Sequence, residues 1–92
     1  MEIRFYATLR DVTGGRSAEF DLEPGTTVRG LLDVVVARYP GIREELFDER
    51  GELYPHVHVF INGRDAPYLD RALDTPLRES DKVDIFPAIG GG

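Results

Sequence analysis

The sequence predicts an α+β domain, a mixed sheet of four to five strands with one main helix packed on one face. Three observations carry this. Apolar and polar residues alternate at period two over residues 1–9, 16–22 and 56–62, and again around Val83 and Ile85, the pattern of half-buried strands. Between the second and third of these runs lies one stripe at helical spacing, Val28, Leu31, Leu32, Val35 and Tyr39. Turn chemistry separates the segments at Gly14-Gly15, Pro24-Gly25 and Asn62-Gly63.

In chain order, residues 1–9 read as a strand with Ile3, Phe5, Ala7 and Leu9 facing the core. Residues 11–15 supply a turn, and a second strand over 16–22 points Ala18, Phe20 and Leu22 inward, so the first two strands form an antiparallel pair. Thr26 or Thr27 caps the helix that follows. Gly30 and the β-branched run Val34-Val35-Val36 are poor helix formers, so packing has to override propensity there. Pro40 ends the helix and biases Tyr39 out of the helical region. Residues 42–47 suit a short second helix, with Ile42, Leu46 and Phe47 packing. Residues 48–51 form a turn. The third strand, 56–62, points Val57, Val59 and Ile61 inward and His58 and Phe60 outward, and Asn62-Gly63 is a tight-turn signal. Residues 64–69 read as a short edge segment, consistent with Pro67. The last strand begins at Lys82, with Val83 and Ile85 alternating with Lys82 and Asp84. A hairpin, a crossover helix and returning strands place the first and last strands in parallel at the centre of one sheet, which is the β-grasp arrangement.

Ninety-two residues make one domain with a modest core. The net charge of −6 repels phosphate backbones, which argues against a nucleic-acid partner and for a basic protein surface. No apolar run approaches bilayer length and the amino end has no signal-peptide shape, so no membrane role is expected and the cytoplasm is the expected location. Ten of the eleven cations are arginine and Lys82 is the only lysine. There is no cysteine, which removes disulfides, thiolate metal sites and a cysteine nucleophile together.

No Ser/His or Walker-type arrangement is present, so the residues offer no intrinsic active site and no bound cofactor. His56 and His58 fall two apart on one strand face, but two ligands without a third read as a solvated edge pair, and no metal is expected. Strand parity gives a positive signal. Tyr6, Phe60 and Phe86 all point to the face away from the helix, where nothing in the chain would cover them. Clustered there, they make a docking patch rimmed by Arg4 and His58.

The final strand runs into that patch and then stops. Pro87 removes a backbone donor, and Ala88, Ile89, Gly90, Gly91 and Gly92 follow with nothing after them. Three glycines bring no side chain to bury and lose the most backbone entropy on ordering, so they do not serve the fold. The expected division is a β-grasp domain over residues 1–87 and a flexible Gly-rich tail over 88–92, a thin arm ending in a carboxylate.

The ending Asp81-Lys82-Val83-Asp84-Ile85-Phe86-Pro87-Ala88-Ile89-Gly90-Gly91-Gly92 resembles that of the MoaD/ThiS family of ubiquitin-like sulfur carriers. Pro24-Gly25-Thr26-Thr27-Val28 and Val59-Phe60-Ile61-Asn62-Gly63 resemble the start of the family's helix and its middle strand, so the similarity covers essentially the whole chain. The resemblance implies that a separate ubiquitin-activating-type enzyme uses ATP to adenylate the Gly92 carboxylate. A persulfide donor then converts it to a thiocarboxylate, and a partner enzyme takes the sulfur. It further implies that Gly91 and Gly92 must fit a narrow channel and that Gly92 bears the sulfur. The parity reading makes Phe86, Phe60 and Tyr6, with the adjoining Pro87, the expected partner contacts. The chain itself would be a carrier and not an enzyme, or the small non-catalytic subunit of a molybdopterin synthase. The acceptor implied is a molybdopterin synthase large subunit or a cysteine synthase. Residues 39–53 make the chain longer than typical thiamine-pathway carriers, a length more like cysteine-biosynthesis carriers and prokaryotic ubiquitin-like modifiers than the compact molybdopterin synthase subunit. A ubiquitin-like modifier joined to lysines through Gly92 would share the activation step, and a β-grasp adaptor with an idle tail remains the structural alternative.

Overall fold

In a computed structural model, residues 1–87 are described and form one five-stranded mixed sheet with the main helix against one face. The strands are β1 (Glu2–Phe5), β2 (Ser17–Glu19), β3 (His58–Ile61), β4 (Arg64–Asp65) and β5 (Val83–Phe86), in the spatial order β2-β1-β5-β3-β4. The helices are α1 (Leu9–Thr13), α2 (Val28–Arg38) and α3 (Arg43–Leu46). The expected central pair is present. β1 and β5 run parallel with Ile3 opposite Val83 and Phe5 opposite Ile85, while β2 and β3 pair antiparallel on either side. Parallel pairs need cover, and this one has it on the helix side, where Ile3, Phe5, Val83 and Ile85 are all buried.

Helix α2 spans the hairpin and the returning strands because its apolar stripe matches that buried face. Val28, Leu31, Leu32 and Val35 are fully buried against it. Thr27 is the N-cap: its hydroxyl accepts the Gly30 amide at 3.1 Å. Gly30 has a local reason in this geometry. A Cβ there would meet the Thr26 methyl at 3.1 Å, so the bare glycine lets the capping threonines close over the first turn. Replacing Thr27 by Ala is expected to cost about 1 kcal/mol, within the usual 0.5–2 for a lost cap, read as a lower denaturant midpoint with unchanged slope. The helix ends at Arg38 ahead of Pro40, with Tyr39 at φ −124° and ψ 78°.

Several sequence expectations are corrected. The first strand ends at Phe5 and not at residue 9: Ala7 is exposed with φ +52°, and the chain turns into α1. Leu9 is still buried, because one turn of helix and continued alternation both bring it inward, and a short run cannot tell them apart. β2 and β3 are likewise shorter than expected, and Leu22 is only half-buried. The edge segment over 64–69 is two residues of strand followed by 3-10 turns at Ala66–Tyr68 and Ala72–Asp74, and Pro67 sits in the first of these turns. The turn between β3 and β4 is as expected, with Asn62 and Gly63 both at positive φ, 54° and 84°. The expected tail, 88–92, lies outside the described residues. Among the described residues no helix is long and apolar enough to cross a membrane.

Candidate functional site: the uncovered face of the sheet

Strand parity places one set of side chains on the face opposite α2, and at the end where β5 finishes these are aromatic. Phe86 is at the centre. Its ring stacks on Tyr6 with centroids 4.1 Å apart and planes 9° from parallel, and meets Phe60 edge-on at 5.5 Å and 87°. The row extends at both ends. The Arg10 guanidinium lies over Tyr6, 5.3 Å from the ring centroid, and His58 stacks on Phe60 at 5.7 Å. The three expected aromatics are therefore brought into one contiguous cluster, each half-buried by its neighbours.

Beneath this row the face is polar and internally satisfied. Asp84, opposite Arg4 in the parallel register, accepts the Arg4 Nε at 2.7 Å and its Nη2 at 3.1 Å. It also accepts the Tyr6 hydroxyl at 2.7 Å. That hydroxyl bond fixes the Tyr6 ring on Phe86, and it favours the neutral phenol. Tyr6 is pushed above the ordinary tyrosine value, first by the hydrogen bond to Asp84 and then by desolvation. The same carboxylate raises the Arg4 value, through its hydrogen bond first and its charge second. Because the Tyr6 value is raised in the folded chain, its contribution is fully present below the unfolded value near 10 and is lost as pH rises through the folded value. Wild type is therefore expected to lose more stability than Tyr6→Phe on alkaline titration above about pH 10, read as denaturant midpoints. Parallel curves would show that the phenol does not depend on Asp84.

The other expected residues are placed as follows. His58 is directed by Asp65, whose Oδ2 lies 2.6 Å from its Nδ1. His56 precedes β3 in a turn and is exposed, so the two histidines do not form a pair on one strand face. Among the described residues no group of three or more metal-ligating side chains could hold a metal. Pro87, expected at the partner contact, follows β5 directly and is buried in the chain itself. Gly91 and Gly92 lie outside the described residues. Two residues of the cluster were missed from sequence. Asp84 shares the parity of Phe86 and was legible by that rule. Arg10 was not, because it reaches Tyr6 only through α1, where its Nε also donates to the Phe5 carbonyl at 2.9 Å.

This face offers a contiguous aromatic surface, and its titratable groups, Arg4, Tyr6 and Asp84 in one set and His58 and Asp65 in another, are bonded to one another. Two cavities, of about 340 and 490 Å³, open elsewhere, and Tyr6, Phe60 and Phe86 line neither.

With this geometry established, comparison with known proteins gives consistent results. The model of the ThiS family matches residues 3–92. Small archaeal modifier protein 3 of Haloferax volcanii is 38% identical over 92 residues, covering 100% of this chain and 98% of that protein. Sulfur carrier protein CysO of Mycobacterium bovis is 33% identical over 86 residues, 91% of this chain and 89% of its own. Among solved structures, crystalline SAMP1 of H. volcanii superposes with a TM-score of 0.85 at 33% identity, covering 99% of this chain and 97% of that one.

Proposed function

The chain belongs to the ThiS family, and we propose that within it this protein is a sulfur carrier whose Gly92 carboxylate is the working group. The observation that carries the reading is the continuity of β5. The strand that bears Phe86 at the centre of the aromatic row leads directly to the Gly90-Gly91-Gly92 ending. A partner docked on that row would receive the glycines. The likeness to CysO, a protein named as a sulfur carrier, supports the same role.

The chemistry divides between the chain and its partners. A carboxylate is a poor electrophile, so an activating enzyme of the ubiquitin-activating type would join it to the α-phosphorus of ATP, releasing pyrophosphate. That enzyme would supply the electrostatic stabilisation, since the Arg4 guanidinium on the uncovered face is engaged by Asp84 and the Arg10 Nε by the Phe5 carbonyl. Attack by a persulfide on the acyl carbon releases AMP, and cleavage of the remaining sulfur–sulfur bond by a thiol leaves the thiocarboxylate. The chain contributes a docking face, glycine-sized residues beside the reacting carbon, and the absence of any cysteine that would compete for the acyl group. The acceptor would be a molybdopterin synthase large subunit or a cysteine synthase, and the compartment the cytoplasm.

The likeness to a small archaeal modifier protein over the whole chain supports a second reading, conjugation of Gly92 to substrate lysines. Proteolytic digests of the source cell separate the two. A carrier leaves no glycine remnants from this chain on lysines of other proteins, and the chain is recovered free. Such remnants in abundance, with little free chain, would replace the carrier reading with the modifier.

A further inference from the structure

We infer that Lys82 is the one side chain of this protein that takes an acyl group, so that activated copies are joined to each other through Lys82 alone. This rests on the reading in which Gly92 is activated. An acyl carbon that has been made electrophilic is attacked by amines, and the chain is almost free of them. Ten of its eleven cations are arginine. A guanidinium stays protonated and presents no nucleophilic lone pair, whereas a lysine ammonium gives up a proton readily enough to act as a nucleophile.

Lys82 is exposed, and among the described residues no carboxylate lies within ion-pair distance of its Nζ. Its backbone is held on both sides by one residue: the Lys82 amide donates to the Asn62 Oδ1 at 2.9 Å, and the Lys82 carbonyl accepts the Asn62 amide at 2.8 Å. The side chain thus projects from a fixed point. The other amine is engaged. The α-amine of Met1 donates to the Phe20 carbonyl at 2.9 Å and lies 3.5 Å from Glu19. Lys82 stands just before β5 and Phe86 ends it, a separation of roughly 13 Å at 3.3 Å per strand residue. A copy attached at Lys82 is therefore rooted at the opposite end of the strand from the aromatic row. In the transfer, the Lys82 nitrogen bonds to the Gly92 carbonyl carbon of a second copy. Lys82 reacts as the free amine after its ammonium gives one proton to solvent; the bond from that carbon to its leaving group breaks, and the second proton passes to the leaving group or to solvent.

The test installs the activated group chemically. The full chain is prepared as an alkyl thioester on Gly92, incubated at mildly alkaline pH, and the covalent products are peptide-mapped. Nα-acetyl-lysine at equal concentration is included in a parallel reaction to show that the thioester is reactive. The expected result is a dimer linked from Gly92 to Lys82, with its complete loss in Lys82→Arg, which keeps the charge. Absence of a wild-type dimer while the free lysine derivative is acylated would overturn the inference. So would a dimer linked through Met1, or one that persists in Lys82→Arg. No activating enzyme or sulfur donor takes part, so the outcome is independent of whether Gly92 carries sulfur in the cell.

Discussion

Removal of Gly92 is expected to stop ATP-dependent activation outright while leaving the folding transition where it is. The loss should be total because the shortened chain offers Gly91 as its final residue, one residue short of the position that the activating enzyme would hold against the ATP α-phosphate. A displacement of a few ångströms from attack geometry is enough to forfeit most of the advantage of positioning. Stability should be indifferent because the core residues among those described run from Ile3 to Ile85, in the sheet and beneath α2. ATP–pyrophosphate exchange with the activating enzyme, measured beside thermal unfolding, gives both readouts. Exchange at the wild-type rate would mean that the carboxylate of Gly92 is not the group activated, and the β-grasp adaptor would stand instead.

Phe86→Ala is the second large effect. Truncating the centre of the aromatic row is expected to weaken binding to the activating enzyme by at least about 1–2 kcal/mol, the size of an interface hot spot. The structure adds a cost in the free chain that strand parity alone did not show. Phe86 contacts both Tyr6 and Phe60, and each aromatic pair contributes about 0.5–1.5 kcal/mol to stability. Affinity should therefore be measured by calorimetry well below the unfolding transition of the variant. An unchanged affinity beside a lower unfolding temperature would assign Phe86 to the fold alone.

The sheet was readable because its period-two pattern is physically forced. With α2 covering one face, only one register of β1, β3 and β5 buries Ile3, Phe5, Val59, Ile61, Val83 and Ile85 together, and that register sends Tyr6, Phe60 and Phe86 to the other side. Parity fixed the face of these aromatics but not their contacts. The 4.1 Å stack of Tyr6 on Phe86 depends on Tyr6 lying past the end of β1, at the bend made by Ala7 in the left-handed region. An alanine there is not a turn signal, since its Cβ disfavours that conformation, so the bend and the α1 helix beyond it were not legible. Arg10 was lost with them.

Asp84 shows what parity can still provide. It sits between Lys82 and Phe86 on the outward face, opposite Arg4 in the parallel register and opposite Phe60 in the antiparallel one. Any outward residue of the central strand has neighbours on both sides. The triad of Arg4, Asp84 and Tyr6 follows from that position once the strand order is known.

The central claim is that the payload resides on the carboxylate of Gly92, and intact mass of the protein isolated from its own cell tests it most directly. The predicted result is a species in which one terminal oxygen is replaced by sulfur. That species is alkylated by a thiol-directed reagent although the chain has no cysteine, which also separates it from oxidation of Met1, the single methionine. A protein recovered only with an unmodified carboxylate, under conditions in which its pathway is active and the sulfur is protected from hydrolysis, would contradict it.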